Sequence, residues 1–161
     1  MRKKIVAGNW KMNVDLSESI DLIESIKKIY NHNPDVEVCI APSFPFLKES
    51  RELCQGEKIK VLAQNVNDNL KGAFTGEVSI DMLKSINVDG VIVGHSERRK
   101  YYNEDDDLLL RKLRVSLENN FNVFFCVGES LKDREKNNHF EKVKNQLEKT
   151  VFKIDNINPE N

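Results

Sequence analysis

No stretch of this sequence approaches the roughly 20 consecutive apolar residues that a membrane helix needs. The basic residues Arg2 to Lys4 lead only into Ile5-Val6-Ala7, too short a run for the core of a signal peptide. Cysteine is scarce: Cys39, Cys54 and Cys126 are odd in number and show no C-x-x-C spacing. That argues against a disulfide framework and points to a reducing, cytoplasmic setting. Excess charge of either sign is also missing, since 25 Lys and Arg offset 26 Asp and Glu to leave a net charge of -1. Neither nucleic acid nor a membrane surface is indicated as a partner. No G-x-G-x-x-G follows the first apolar run, which argues against a dinucleotide-binding sheet. His32, His95 and His139 have no zinc-like spacing with one another or with cysteine, so no metal site is expected. There is no low-complexity segment and no evident linker.

What is present is the composition of a globular chain, 39% hydrophobic and 32% charged, with 161 residues. That length fits one domain, residues 1–161, able to bury roughly two-thirds of its unfolded surface. Short apolar runs rich in Val, Ile, Phe and Cys alternate with longer stretches of helical period. The runs are Ile5 to Ala7, Val36 to Ala41, Ile59 to Ala63, Val88 to Val93 and Val123 to Val127. Each is too short for a buried helix. Their apolar character is continuous, which predicts parallel strands covered on both faces.

Between them, Leu16, Ile20, Ile23, Ile26 and Tyr30 keep near-helical spacing, with Asp15 placed to cap the helix start. Leu109, Leu113, Leu117 and Phe121 form a second stripe, and Phe140, Val143, Leu147 and Val151 a third. Shorter connections span Phe44 to Gln55 and Val78 to Ile86. Strand–helix repeats at this spacing imply parallel βαβ units. The pattern alone does not separate a barrel from a doubly wound sheet. The last residues, Asp155 to Asn161, are polar and turn-like, and Asn158-Pro159 could open a helix that does not follow; the chain reads as interrupted there.

Polar groups stand directly after the apolar runs, where α/β barrels build their sites. The first run leads into Asn9-Trp10-Lys11, the third into Gln64-Asn65, the fourth into Gly94-His95-Ser96-Glu97-Arg98-Arg99, and the fifth into Gly128-Glu129. A lysine and an imidazole at one mouth would suit an anionic substrate and proton chemistry. Taken singly, Lys11 reads as a solvated loop lysine and His95 as a hydrogen-bonded structural histidine. Cys126 reads as core, Glu97 with Arg98 as a surface ion pair, and Asp105-Asp106-Asp107 as a solvated helix start suited to the dipole. The segment from Gly94 to Arg98 is not a nucleophile elbow, which needs glycine where Arg98 stands.

The motifs reach further than the spacing. Ala7-Gly8-Asn9-Trp10-Lys11-Met12-Asn13, Ala73-Phe74-Thr75-Gly76-Glu77-Val78-Ser79, Val93-Gly94-His95-Ser96-Glu97-Arg98-Arg99 and Cys126-Val127-Gly128-Glu129 with Asp133-Arg134-Glu135 occur in this order. Together they resemble the signatures of the triosephosphate isomerase family. The resemblance covers essentially the whole chain. It implies an incomplete TIM (β/α)8 barrel: about five parallel strands with flanking helices, roughly five-eighths of the eight-stranded fold. It implies interconversion of dihydroxyacetone phosphate and D-glyceraldehyde 3-phosphate by enediolate proton transfer, in glycolysis and gluconeogenesis, with no cofactor or metal. By the same resemblance Asn9 and Lys11 bind the substrate, and Lys11 counters phosphate and enediolate charge. His95 would be the electrophile, acting as a neutral imidazole, a behaviour known for that family as an example of pKa tuning. Glu97 supports the site from behind. Thr75, Gln64, Asn65 and Arg98 belong to the side that meets a partner subunit in a cytoplasmic homodimer.

The family's general base is a glutamate after a sixth strand, and no position here corresponds to it. Glu129 follows the fifth strand and is not placed by sequence beside a substrate carbon. The 161-residue chain is therefore expected to be a fragment, inactive or nearly so by itself. Its first and fifth strands should be open edges. The other expectation is a non-catalytic half-barrel remnant or interaction module.

Overall fold

A computed structural model of the chain describes residues 3–31 and 33–155; Arg2, His32 and Asn158-Pro159 lie outside them. Strands β1 (Lys4–Asn9), β2 (Val36–Ala41), β3 (Ile59–Ala63), β4 (Gly90–Val93) and β5 (Asn122–Phe125) alternate with helices. These are α1 (Leu16–Ile29), α2 (Leu47–Leu53), α3 (Ile80–Ser85), α4 (Ser96–Tyr101), α5 (Asp106–Glu118), α6 (Leu131–Glu135) and α7 (His139–Lys149). Short 3-10 turns at Phe44–Phe46 and Val151–Lys153 complete the described elements. The strand order is β1-β2-β3-β4-β5. A doubly wound sheet reverses its order at a switch point. The sequential order is instead the βα succession of the first five strands of a (β/α)8 barrel, as the motifs imply.

The chain divides into two compact units. The first comprises residues 1–64 with 81–91. In it β1 and β2 pair in parallel from Lys4 opposite Val36 to Asn9 opposite Ala41. β2 and β3 pair from Val38 opposite Ile59, and β3 meets the start of β4 at Leu62 opposite Gly90. The core is Ile23 from α1, Ile40 from β2, Leu47 from α2, Val61 and Leu62 from β3, and Leu83 from α3, all buried. α1 starts at Asp15, whose carboxylate accepts from the Glu18 N–H while the Glu18 side chain accepts from the Asp15 N–H, a reciprocal cap.

The second unit comprises residues 65–80 with 92–161. In it α5 packs on β5 and on α7. Leu109, Leu113 and Phe121 are buried, and hydrophobic burial stabilises by about 1.5–3 kcal/mol for each such side chain. Cys126 N–H donates to the Val93 carbonyl at 2.8 Å and ties the end of β5 to β4.

Four expectations need correction. β5 spans Asn122–Phe125 and does not run on to Val127. β1 is not covered on both faces: Ile5 is 50% and Val6 61% exposed, and successive strand residues point to opposite faces. β4 begins at Gly90, not Val88. The Val88 N–H closes α3 by donating to Leu83, and the Asp89 carboxylate accepts the Val61 N–H at 2.8 Å in place of a ladder carbonyl. Phe140 does not join the third stripe in the core; it is 80% exposed at the start of α7.

The many asparagines have a use that composition hides. Asn87, Asn103, Asn120 and Asn137 adopt φ of 57°, 54°, 54° and 58°. Each stands two residues past the end of a helix: α3, α4, α5 and α6. A left-handed residue there stops a helix, and asparagine is the side chain that tolerates it best after glycine.

Candidate functional site

In the first unit the chain after β1 is held in an unusual shape. Lys11 has φ of 56°, a left-handed conformation costly for a residue with a Cβ. Neighbouring groups fix it there. The Lys11 N–H donates to Asn9 Oδ1 at 3.0 Å. The Lys11 carbonyl accepts from Ser43 Oγ at 2.8 Å and from Gln64 Nε2 at 2.9 Å. Gln64 Nε2 also donates to the Ala41 carbonyl at 2.8 Å, and the Trp10 N–H donates to that same carbonyl at 3.1 Å. Residues directly after β1, β2 and β3 thus converge on one lysine backbone and leave its exposed side chain to be aimed by the turn.

In the second unit β4 runs into Gly94 at φ 80°. A Cβ at that position would lie 3.0 Å from the Cys126 carbonyl oxygen, so both conformation and space call for glycine. His95 then caps α4. Its Nδ1 accepts the Glu97 backbone N–H at 3.3 Å. The Glu97 carboxylate oxygen lies 3.4 Å from the same nitrogen, but it is the backbone N–H that has hydrogen-bond geometry. A ring nitrogen that accepts holds no proton, so in this arrangement the imidazole N–H is Nε2.

Arg98 points its Nε at Glu104 Oε1, 2.7 Å away. Glu104 is buried, and the same oxygen accepts Lys112 Nζ at 2.6 Å. Lys112, also buried, donates to Asn65 Oδ1 at 2.8 Å. Asn65 and Arg98 thereby belong to one internal charge cluster, while Thr75 is exposed in the connection between β3 and α3 beside the half-exposed Phe74.

A cleft of about 630 Å³ opens beside His95 and Ser96, lined also by Arg99, Glu129, Lys142 and Gln146. Gln146 clamps Gly128 from both sides, accepting its N–H at 2.9 Å and donating to its carbonyl at 3.0 Å. Glu129 is held by Arg134, whose Nε donates to Oε1 at 2.8 Å. That hydrogen bond keeps its carboxyl below the usual glutamate value. Burial pushes the Cys126 thiol up, as suits a packed cysteine and not a nucleophile.

Within the first unit, then, the structure brings together Asn9, Lys11 and Gln64; within the second it brings together His95 with Glu97, and Asn65 with Arg98. Sequence reasoning missed Ser43, Arg99, Lys112 and Gln146. Ser43 stands just beyond β2, where the rule that flagged Asn9 and Gln64 would have found it. Arg99 stands within the polar stretch after β4 but was given no role there, and Lys112 and Gln146 carry no local signal. Among the described residues no helix is long and apolar enough to cross a membrane.

Residues 4–160 match the family model described as "Triosephosphate isomerase". The chain is 45% identical over 155 residues to the triosephosphate isomerase of Flavobacterium psychrophilum, a stretch covering 96% of this chain and 62% of that protein. It is 44% identical over 154 residues to the enzyme of Flavobacterium johnsoniae, again 96% and 62%. To that of Clostridium tetani it is 44% identical over 155 residues, 96% of this chain and 60% of the relative. The chain thus spans about three-fifths of the length of these curated relatives.

Proposed function

This chain belongs to the triosephosphate isomerase family, and from that premise we propose that it carries the substrate-binding and carbonyl-polarising part of an aldose–ketose isomerase. The reaction is interconversion of dihydroxyacetone phosphate and D-glyceraldehyde 3-phosphate, through an enediolate. Asn9 and Lys11 bind the substrate, with the Lys11 ammonium countering the phosphate and the charge that develops on oxygen. His95 donates a hydrogen bond from Nε2 to the substrate carbonyl, and Glu97 orients the ring. The reading calls on no cofactor, since a proton moves between adjacent carbons of one molecule. The observation that carries it is the hydrogen bond from the Glu97 N–H to His95 Nδ1. It leaves the other ring nitrogen as the donor toward a substrate oxygen, which suits stabilising an enediolate.

A proton-abstracting carboxylate is also required, and a positioned base contributes roughly 10²–10⁴ in rate. Glu129 makes a poor one: its carboxylate is tied to Arg134 and lowered in pKa. The 161 residues alone, one partial barrel domain in this reading, therefore turn over triose phosphate at a rate near background. The reading also takes the working enzyme as a cytoplasmic homodimer in glycolysis and gluconeogenesis. Thr75, beside Phe74, meets the partner subunit. Gln64, Asn65 and Arg98 support that side indirectly, through the contacts they make within this chain.

The test is a chimera: residues 1–155 followed by the remaining C-terminal part of the Flavobacterium psychrophilum relative, assayed for isomerisation in both directions. The expected result is turnover by the chimera, a loss of about 100-fold or more on His95→Gln, a comparable loss on Lys11→Met, and background activity for the 161-residue chain. A folded chimera without activity, or one indifferent to His95→Gln, would overturn the reading.

A further inference from the structure

We propose that Arg99 is a positioning residue for His95: its guanidinium fixes the peptide that precedes the imidazole, and so the direction in which the ring leaves the backbone. The inference rests on the reading of His95 as the carbonyl-polarising group.

Arg99 makes three contacts with three separate segments. Its Nε donates to the Gly94 carbonyl at 2.9 Å. Its Nη1 donates to Asp106 Oδ1 at 2.7 Å, at the start of α5. Its Nη2 donates to the Cys126 carbonyl at 3.2 Å, just past β5. The guanidinium also lies 5.8 Å from the centre of the Phe125 ring. Arg99 is largely buried, with 17% of its side chain exposed.

The Gly94 carbonyl oxygen and the His95 nitrogen belong to one planar peptide. Holding that oxygen removes the rotation about Gly94 ψ and His95 φ that would otherwise swing the His95 Cβ. Glycine at φ 80° is the position most in need of such a restraint, because it rotates more freely than any other residue. The planar fork of arginine holds several acceptors at once in a fixed relation. A lysine in its place has one nitrogen and cannot reach all three. Asp106 holds the guanidinium from the far side, so the chain of restraint runs from α5 through Arg99 to the Gly94–His95 peptide.

A merely structural staple would make a different prediction. It would hold β5 and α5 in place, and its loss would loosen those elements and His95 together. A positioning role makes the turn at Gly94 and His95 respond first.

The experiment uses the 161-residue chain with uniform 15N labelling, with Arg99→Met, Arg99→Lys and Asp106→Asn variants. Two readouts are taken: exchange of the Glu97 amide hydrogen, and the 15N shifts of the His95 ring nitrogens. The expected result for Arg99→Met is Glu97 exchange faster by about tenfold, the worth of one net hydrogen bond. The His95 Nδ1 resonance also moves away from its hydrogen-bonded value, while the Leu109 and Leu113 amides of α5 keep their protection. Arg99→Lys should not restore either readout. Asp106→Asn keeps the arginine, loosens one arm and serves if Arg99→Met fails to fold; it should speed Glu97 exchange by about two- to threefold, a fraction of one hydrogen bond. Unchanged Glu97 exchange and ring shifts in folded Arg99→Lys and Asp106→Asn would overturn the proposal. So would α5 amides that lose protection in step with Glu97. Neither readout involves turnover, so an inactive chimera would count against the isomerase reading and leave the positioning of His95 standing or falling by itself.

Discussion

The side-chain amide of Gln64 donates to the main-chain carbonyl of Lys11 at 2.9 Å, joining residues 53 positions apart in sequence. With Ser43 on the same oxygen and Asn9 on the Lys11 N–H, it keeps a lysine in a conformation that its own side chain disfavours. Backbone strain of this kind persists only where surrounding contacts over-determine it.

That strain predicts an inverted preference at position 11. Glycine normally lowers stability relative to alanine, but at φ 56° the alanine Cβ carries the penalty. Lys11→Gly should be more stable than Lys11→Ala by about 1 kcal/mol, read from urea midpoints. Both variants should lose affinity for a phosphate-bearing ligand in the chimera. An alanine variant at least as stable as the glycine one would show that the left-handed turn is not maintained in solution.

Asn120, at φ 54° two residues after α5, should follow the same rule. Asn120→Gly is expected to be neutral or slightly stabilising. Asn120→Val should cost about 1–2 kcal/mol, since a β-branched side chain tolerates that region worst. Thermal melts of the two variants side by side decide it.

The buried cluster of Glu104, Lys112, Arg98 and Asn65 should be intolerant of losing one member. Lys112→Met removes a 2.6 Å contact to Glu104 and leaves Asn65 Oδ1 without that donor. Breaking a buried pair from one side costs roughly 3–5 kcal/mol. Replacing Glu104 and Lys112 together by Gln and Met should cost less than the two single changes summed, because the contact between them is then lost once and not counted twice, while Arg98 loses Glu104 in both Glu104 variants. Denaturant titration of the full cycle measures the coupling.

Cys39 and Cys54 should resist alkylation. Burial pushes their thiols up to about 12 and about 11 respectively, so at pH 8 almost no thiolate is present. Iodoacetamide at pH 8 followed by mass analysis should leave both unmodified in the native chain and label both in denaturant. Raising the pH to 10 should not label them unless the fold opens. Rapid native labelling of Cys54 would mean that its surroundings are not packed.

Acid should weaken the helix starts. The Glu18 N–H holds the Asp15 carboxyl below its ordinary 3.8, and the Ser130 hydroxyl holds Asp133 below the same value. A carboxyl depressed in the folded state contributes stability above its unfolded value, and that contribution is lost as the pH falls through the folded one. Stability should therefore decline from about pH 4 downward. Asp15→Asn with Asp133→Asn should flatten part of that decline in urea midpoints measured between pH 5 and 2. An unchanged slope would mean that the two caps do not titrate with folding.

Much of the fold is legible in the sequence. The strand runs at Val36 to Ala41 and Ile59 to Ala63 were read to the residue, because β-branched apolar blocks have few other uses at that length. Asp15 was legible as a cap because its chemistry is local. The limits of β4 and β5 were not, since side chains replace the backbone ladder there: Asp89 at one end, Arg99 and Gln146 at the other. The candidate site divides in the same way. Asn9, Lys11, Gln64, Asn65 and His95 announced themselves by standing just after apolar runs. Lys112 looked like an ordinary surface cation in a chain that is 32% charged, and Arg99, though it stands in the stretch after β4, had no partner that spacing could name.

The sequence by itself determined the alternation of strands and helices, the family to which the chain belongs, and which polar residues stand at the strand ends. These follow from short-range order: periodicity, capping and motif spacing act over a few residues. Tertiary structure alone decided that Gln64 and Ser43 hold the Lys11 backbone, that Lys112 is buried on Glu104, and that Arg99 fastens Gly94 to Cys126. Those bonds join groups distant in sequence, and a hydrogen bond forms wherever folding brings donor and acceptor within about 3 Å, a distance that no spacing along the chain encodes.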